Sequence, residues 1–233
     1  LKYRLDPCTP THRSYGMSYN SKIEWTEASW NPVIGCTKVS SGCKYCYAEA
    51  LAERFRGIPG HAFERGFDLR LVPEKLTEPL KWKMPRKIFV CSMSDLFHER
   101  IPFEYIRQVF EVMSNARRHT FQVLTKRDSR LKSISSRLPW PKNIWIGVTV
   151  ESAAYTHRVD NLLSVPAAVK FLSLEPLLSP IKDIQLDGID WVIVGGESGL
   201  SARPMDINWA REIKEKCNEA GIPFFLKQLG GRN

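Results

Sequence analysis

Apolar residues along this chain fall into short runs, and each run gives way to polar residues. KIFVCSMSD (87–95), TFQVLTK (120–126), NIWIGVTVES (143–152), AVKFLSLEP (168–176), DWVIVGGESG (190–199) and PFFLKQ (223–228) all have this form. Nearly uninterrupted Val, Ile, Leu, Phe and Trp predict strands covered on both faces, as in a parallel sheet. WNPVIG (30–35) supplies one more candidate, giving about six to seven strands. Between these runs the apolar period lengthens to that of a helix. Phe103, Ile106, Phe110 and Met113 share one helical face, with Pro102 suited to the first turn. Tyr155, Val159, Leu162 and Leu163 make a second stripe, and Ile207, Ala210, Ile213 and Cys217 a third that Gly221 should stop. Tyr47, Leu51 and Phe55 begin a fourth.

Strands alternating with helices predict βαβ units, hence an α/β fold built as a parallel (β/α) barrel, partial or full. In such folds reactive side chains gather at the carboxyl ends of the strands. This sequence is polar there, with Ser92, Ser94 and Asp95, then Thr125, Lys126 and Arg127, then Glu151, Glu175 and Glu197, and finally Lys227 and Gln228. Caps and loop residues account for any one of these, but their recurrence at successive strand ends marks a candidate site. Lys126, Glu151, Glu175 and Lys227 are the candidate catalytic groups, expected to point into the barrel mouth, position a substrate and move protons.

The 233 residues suffice for one substantial core, so residues 17–233 are expected to form a single domain that includes a cysteine loop at 36–46. LKYRLDPCTPTHRSYG (1–16) shows no period and precedes Met17, so it reads as an extension, whereas LGGRN (229–233) follows an apolar run abruptly. That abrupt end is expected to reflect either a fold without a closing helix or a truncated chain, and it raises the question of a partner protein that completes the active site. With 43% hydrophobic and 25% charged residues the composition is that of a folded globular protein and excludes a disordered one. No apolar run approaches the roughly 18 residues of a membrane span, and the N-terminus lacks the apolar core of a signal peptide. A cytoplasmic protein with no membrane partner is expected. The net charge of +9 favours polyanions, nucleic acid first, although KWKMPRK (81–87) and LTKRDSRLK (124–132) also suit solvated faces.

The cysteines are Cys8, Cys36, Cys43, Cys46, Cys91 and Cys217, and clustered thiols in a cytoplasmic chain indicate metal rather than a disulfide scaffold. GCTKVSSGCKYCYAEALAERF (35–55) sets Cys36, Cys43 and Cys46 at a C-x6-C-x2-C spacing before a helix whose amino end would favour thiolates. Two metal readings follow. Zinc wants a fourth ligand, for which Cys91, His61 and His98 are candidates. A [4Fe-4S] cluster is held by three cysteines with one iron left open.

CKYC (43–46), with Tyr45 just before the last cysteine, resembles the end of the radical S-adenosylmethionine (radical SAM) signature. IEWTEASWNPVIGCTKVSSGCKYCYAE, with SMSDLFHE, FQVLTKR, FLSLEPLL and DWVIVGGESG, is similar to a phage- and prophage-associated family of three-cysteine-motif proteins over about residues 23–231. The sequence departs from the radical SAM pattern in two places. Six residues, 37–42, separate its first two cysteines where the signature has three, and GGE (195–197) ends a late strand rather than the second. The resemblance implies a TIM-like barrel in which Cys36, Cys43 and Cys46 hold a [4Fe-4S] cluster and the open iron binds S-adenosyl-L-methionine. A reduced cluster would then generate a 5'-deoxyadenosyl radical that takes hydrogen from unreactive carbon, with an electron donor as partner. Tyr45, Ser92, Ser94, Asp95 and Glu197 become candidate cofactor-binding residues, and charge and family together suggest a nucleic-acid or nucleotide-derived substrate. Two other readings stand beside this one, a zinc-stabilised nucleic-acid-binding protein without catalysis and an iron–sulfur redox or sensor protein.

Trp145 and Trp191 are expected in the core, Trp25 and Trp30 either stacking bases or covering the metal from solvent, and His98 at the surface or as a helix cap. VGGESG (194–199) could cradle a phosphate, but it lacks the Lys-Ser/Thr of a nucleotide-hydrolysing P-loop.

Overall fold

The computed structural model describes residues 23–231, so the expected extension at 1–16 lies outside the described residues. Strands β1 (Ala28–Trp30), β4 (Lys87–Val90), β5 (Thr120–Thr125), β6 (Ile144–Thr149), β7 (Val169–Leu174), β8 (Trp191–Gly195) and β9 (Phe224–Gln228) form one sheet in that spatial order. Every neighbouring pair is parallel, and among the described residues β1 and β9 are the two edges, so these strands form a half-barrel and not a closed one. β2 (Val33–Ile34) and β3 (Arg70–Leu71) pair antiparallel as a separate small ribbon. The helices are α1 (Tyr47–Glu53), α2 (Phe103–Asn115), α3 (Asp128–Ser135), α4 (His157–Leu163) and α5 (Ile207–Glu219).

Side chains alternate across each strand, and that alternation sorts the apolar residues into two layers. Ile88, Val90, Phe121, Val123, Ile146 and Val148 belong to the large outer core, together with Ile106 and Phe110 of α2 and Ile213 of α5. Residues of the opposite parity, Phe89, Phe171 and Ile193, join Trp25 in a smaller inner cluster against which Leu124, Trp145, Trp191 and Phe225 pack. The parallel strands are therefore apolar on both faces because each face has its own core. At Gly147 an added Cβ would lie 2.6 Å from the Phe171 ring, so glycine there makes room for the inner aromatic layer.

The structure departs from the sequence expectations at several places in the fold, among them α1, which buries Ala48 and Ala52 and leaves Tyr47 and Leu51 of the expected stripe exposed. The strand anticipated near residues 30–35 enters the sheet slightly earlier, as Ala28–Trp30, and Val33–Ile34 leaves for the small ribbon. A helix, α3, begins within the basic stretch at 124–132 and runs past it, because Leu131 and Ile134 face the core and Asp128 is buried beside Arg158 and Asn161. Trp30 is fully buried in the outer core, its Nε1 donating to the Lys75 carbonyl at 2.8 Å, and so does not shield the cysteines.

Candidate active site at the carboxyl ends of the strands

The cysteine loop runs from the β2–β3 ribbon to α1 and is tied down at both ends. Gly35 donates its backbone N–H to the Met93 carbonyl at 2.9 Å and bridges Ser94. Its φ of +84° and the nearby Asp68 carbonyl leave no space for a side chain there. Beyond the loop, α1 packs Ala48 and Ala52 on Ile34, Phe63, Val72 and Met93. Between these anchors a single 3₁₀ turn, Ser41–Cys43, crosses the strand ends.

Cys36, Cys43 and Cys46 line one cavity of about 490 Å³. Its wall is built from the carboxyl ends of the strands, contributing Ser92 and Asp95, Lys126, Glu175, Glu197 and Lys227. Trp25, Phe89 and Leu124 of the inner apolar layer form its floor. Tyr45, 39% exposed, stands at the lip with Lys44 5.1 Å and Arg203 5.3 Å from its ring centroid.

Burial pushes the Cys36 thiol up, to about 11, reinforced by Asp95 and opposed by Arg127, whose Nη2 lies 3.7 Å from the sulfur. Metal loading at Cys36 thus entails loss of a proton. Among the described residues no three His, Cys, Asp or Glu side chains converge as ligands of one ion. A tetrahedral zinc site would need thiolates about 3.8 Å apart, from Zn–S bonds of about 2.3 Å. A four-iron cluster makes a looser demand, since each thiolate meets a different iron. Three thiols around one cavity, the first beside a buried guanidinium, are a donor set of the right chemistry for that group.

Asp95 organises the wall more than it opens it. It is buried and accepts from the Thr125 hydroxyl at 2.8 and 2.9 Å, from Lys126 N at 3.0 Å and from Phe97 N at 2.9 Å. The turn before it starts at Cys91, whose φ of 63° is unusual for a residue with a side chain and swings Ser92 and Ser94 over the strand end. Ser92 exchanges a 3.2 Å hydrogen bond with Asn31, and its carbonyl accepts from the Tyr47 hydroxyl at 2.7 Å. The Ser94 hydroxyl donates to the Val33 carbonyl at 2.9 Å. Glu175 and Lys227 face one another at 2.8 Å, and Gly195 leaves them space, since a Cβ there would sit 2.7 Å from the Glu175 carboxylate.

Glu151 differs from the other candidate catalytic groups. It is wholly buried, outside the cavity lining, paired with Arg158 at 2.7 Å and bonded to the Ser40 hydroxyl. Its carboxylate braces the cysteine loop from below and does not enter the barrel mouth. Glu197 is likewise clamped, accepting from Arg203 Nε at 2.8 Å and from Arg203 N at 2.9 Å. His98 is buried and not a surface group. Its Nε2 meets the Thr37 hydroxyl at 2.9 Å, and burial, with Arg127 adding, lowers its pKa below the ordinary histidine value.

Thr149 and Ser173 also line the cavity, and neither stood out in the sequence. Strict alternation along β6 and β7 was the available signal, for it puts Thr149 on the same face as Trp145, and Ser173 on that of Phe171.

A family model described as "Protein of unknown function (DUF5131)" matches residues 20–233. No curated protein and no solved structure matches the chain.

Proposed function

This chain belongs to the DUF5131 family, and we propose that it is an iron–sulfur enzyme of the radical SAM type acting on a nucleic-acid or nucleotide-derived substrate. The observation that carries the proposal is that Cys36, Cys43 and Cys46 line one cavity together with the ends of β4 through β9. Those cysteines would hold the cluster, as the resemblance of CKYC (43–46) to the radical SAM signature implies. Cluster and S-adenosylmethionine together supply one-electron cleavage, and with it hydrogen-atom abstraction from unreactive carbon.

The chain's own groups have distinct tasks in this reading. Arg127 and Glu151 fix the cysteine loop from two sides. Trp25 and Phe89 keep water from the floor, where it would quench reactive species. Glu175 and Lys227 offer a proton acceptor and a donor side by side on the wall. Lys126 is left to bind polar parts of cofactor and substrate, while the Ser92–Asp95 turn, held by its own hydrogen bonds, shapes the wall beside it. The substrate class is supported by the net charge of +9 and by Tyr45, an exposed ring beside two cations that suits a nucleobase and its phosphates. The electron would come from an external donor, and a partner protein on an open edge of the half-barrel fits the same scheme.

Anaerobic reconstitution with iron and sulfide, followed by electron paramagnetic resonance of the reduced protein, tests the proposal. A four-iron signal that changes on adding S-adenosylmethionine is expected. Stoichiometric zinc without a cluster would overturn it, and a cluster indifferent to S-adenosylmethionine would leave a redox or sensor protein.

A further inference from the structure

The half-barrel interior has a second cavity of about 540 Å³ at the opposite end, where the strands begin. Its walls are aromatic, from Trp25, Trp145, Trp191 and Phe225. The Trp145 and Trp191 rings meet edge to face at 6.4 Å, and Trp25 lines both cavities, so this aromatic layer separates the two ends.

Gln122 sits among these rings with no exposed surface. Its Nε2 donates to the Trp25 carbonyl at 3.3 Å, which fixes the amide orientation, because that carbonyl only accepts. Its Oε1 is then a buried acceptor that meets no donor among the described residues. Such groups are rare in folded proteins and point to a bound species. Trp25 Nε1 is a second buried group without a partner, but its ring touches both cavities and does not select a ligand.

The rim selects by charge. Among the described residues Glu24, Glu27 and Asp190 stand there against Lys87, an acidic lining on a chain of net charge +9. Glu27 is held by Lys87 N at 2.7 Å and Asp190 by Lys170 N at 2.8 Å, so both carboxylates are fixed in place. Aromatic faces attract cations by their quadrupole, as the carboxylates do by their charge.

We infer that this cavity binds an organic cation with N–H donors, an alkylammonium group of the kind carried by aliphatic polyamines. An ammonium would donate to Gln122 Oε1, its methylenes would lie on the indoles, and the rim carboxylates would balance its charge. A neutral ligand forfeits the rim, and an anion is repelled by it. The cavity volume falls in the usual range for small-molecule sites, about 300–1,000 Å³.

The test is titration of the full chain with putrescine and with spermidine, followed by tryptophan fluorescence and calorimetry, with 1,4-butanediol as the neutral control. Saturable binding of the amines is expected, weakening with salt, and no response to the diol. Gln122→Leu should lower affinity about tenfold through loss of a hydrogen bond to a charged donor. Glu24→Gln, at an exposed position, should lower it about threefold, and this variant keeps the test decisive if Gln122→Leu folds poorly. Absence of saturable binding at millimolar amine, an equal response to butanediol, or unchanged affinity in Glu24→Gln and in any folded Gln122→Leu would each overturn the inference and leave ordered water as the partner of Gln122.

Discussion

The guanidinium of Arg127 lies 3.7 Å from the sulfur of Cys36, across 91 residues of sequence. The same group donates to the Thr37 carbonyl and hydroxyl, each at 2.9 Å, and pairs with Glu99. It joins the end of β5 to the start of the cysteine loop, and a planar fork with several donors is what that junction requires. Arg127→Lys keeps the charge and loses the fork. Expected outcomes are a several-fold fall in iron bound per chain after reconstitution and a loss of about 2 kcal/mol in urea unfolding. The cost is below that of breaking a fully buried pair because Glu99 is 62% exposed.

Gly42 is the loop's closest approach to its brace. A Cβ there would stand 2.5 Å from the Glu151 side chain, which is buried and held by Arg158 at 2.7 Å. A carboxylate fixed in this way has no room to retreat. Gly42→Ala should therefore cost about 1–3 kcal/mol of stability and misplace Cys43. Iron loading and the thermal midpoint should fall together, and an unchanged midpoint would show that the loop simply lifts off Glu151.

The architecture was legible wherever burial imposes a period. The six long apolar runs became β4 through β9, and the stripes through Phe110 and Ile213 became α2 and α5. Periodicity was less informative at α3, where six of eight residues are polar and only Leu131 and Ile134 carry the stripe. It also left the loop chemistry half-read. The three cysteines and the strand-end polar groups were visible as residue types, but whether a carboxylate is free or clamped depends on partners distant in sequence. Glu151 and Glu175 both follow strands, yet Arg158 and Ser40 close around the first, while the second faces the cavity with Lys227. The lower cavity had no sequence signature, because Gln122 reads as one polar residue in an apolar strand.

Cys36→Ala, Cys43→Ala and Cys46→Ala are each expected to abolish cluster assembly, read as loss of iron, of sulfide and of visible absorption. Cys217 is the control. It is fully buried in α5 against the outer core, far in role from the loop, and burial pushes its thiol up to about 11. Cys217→Ala should load iron normally and lose about 1 kcal/mol from the small void it leaves. Equal loading in the triple loop variant would remove the site assignment.

Acid should release the clamp on Glu197. Burial alone would raise its pKa, but the hydrogen bonds and charge of Arg203 outweigh burial and hold it below the ordinary glutamate value of 4.5. Because the folded value is the lower one, the stability contributed by this pair is complete above pH 4.5 and is lost as the pH falls through the folded pKa. Glu197→Gln removes this titration. Its stability curve between pH 5 and pH 3 should be flatter than that of the unaltered protein, as followed by urea midpoints, and parallel curves would mean that other carboxylates carry the acid response.

Tyr45 decides between two uses of the cavity lip. Its ring is 39% exposed, beside Lys44 and Arg203. If single-stranded nucleic acid passes over the mouth, a base stacks on Tyr45 while phosphates meet the two cations. Tyr45→Ala should then lower affinity for an oligonucleotide about 5- to 100-fold, from about 1–3 kcal/mol of stacking, without changing the dependence on salt. Lys44→Ala should act the other way, weakening binding modestly while reducing the salt slope by about one ion. Fluorescence anisotropy across a salt series separates the two effects. Salt-independent binding, or full affinity in Tyr45→Ala, would move the substrate away from nucleic acid and toward a small molecule held wholly inside the cavity.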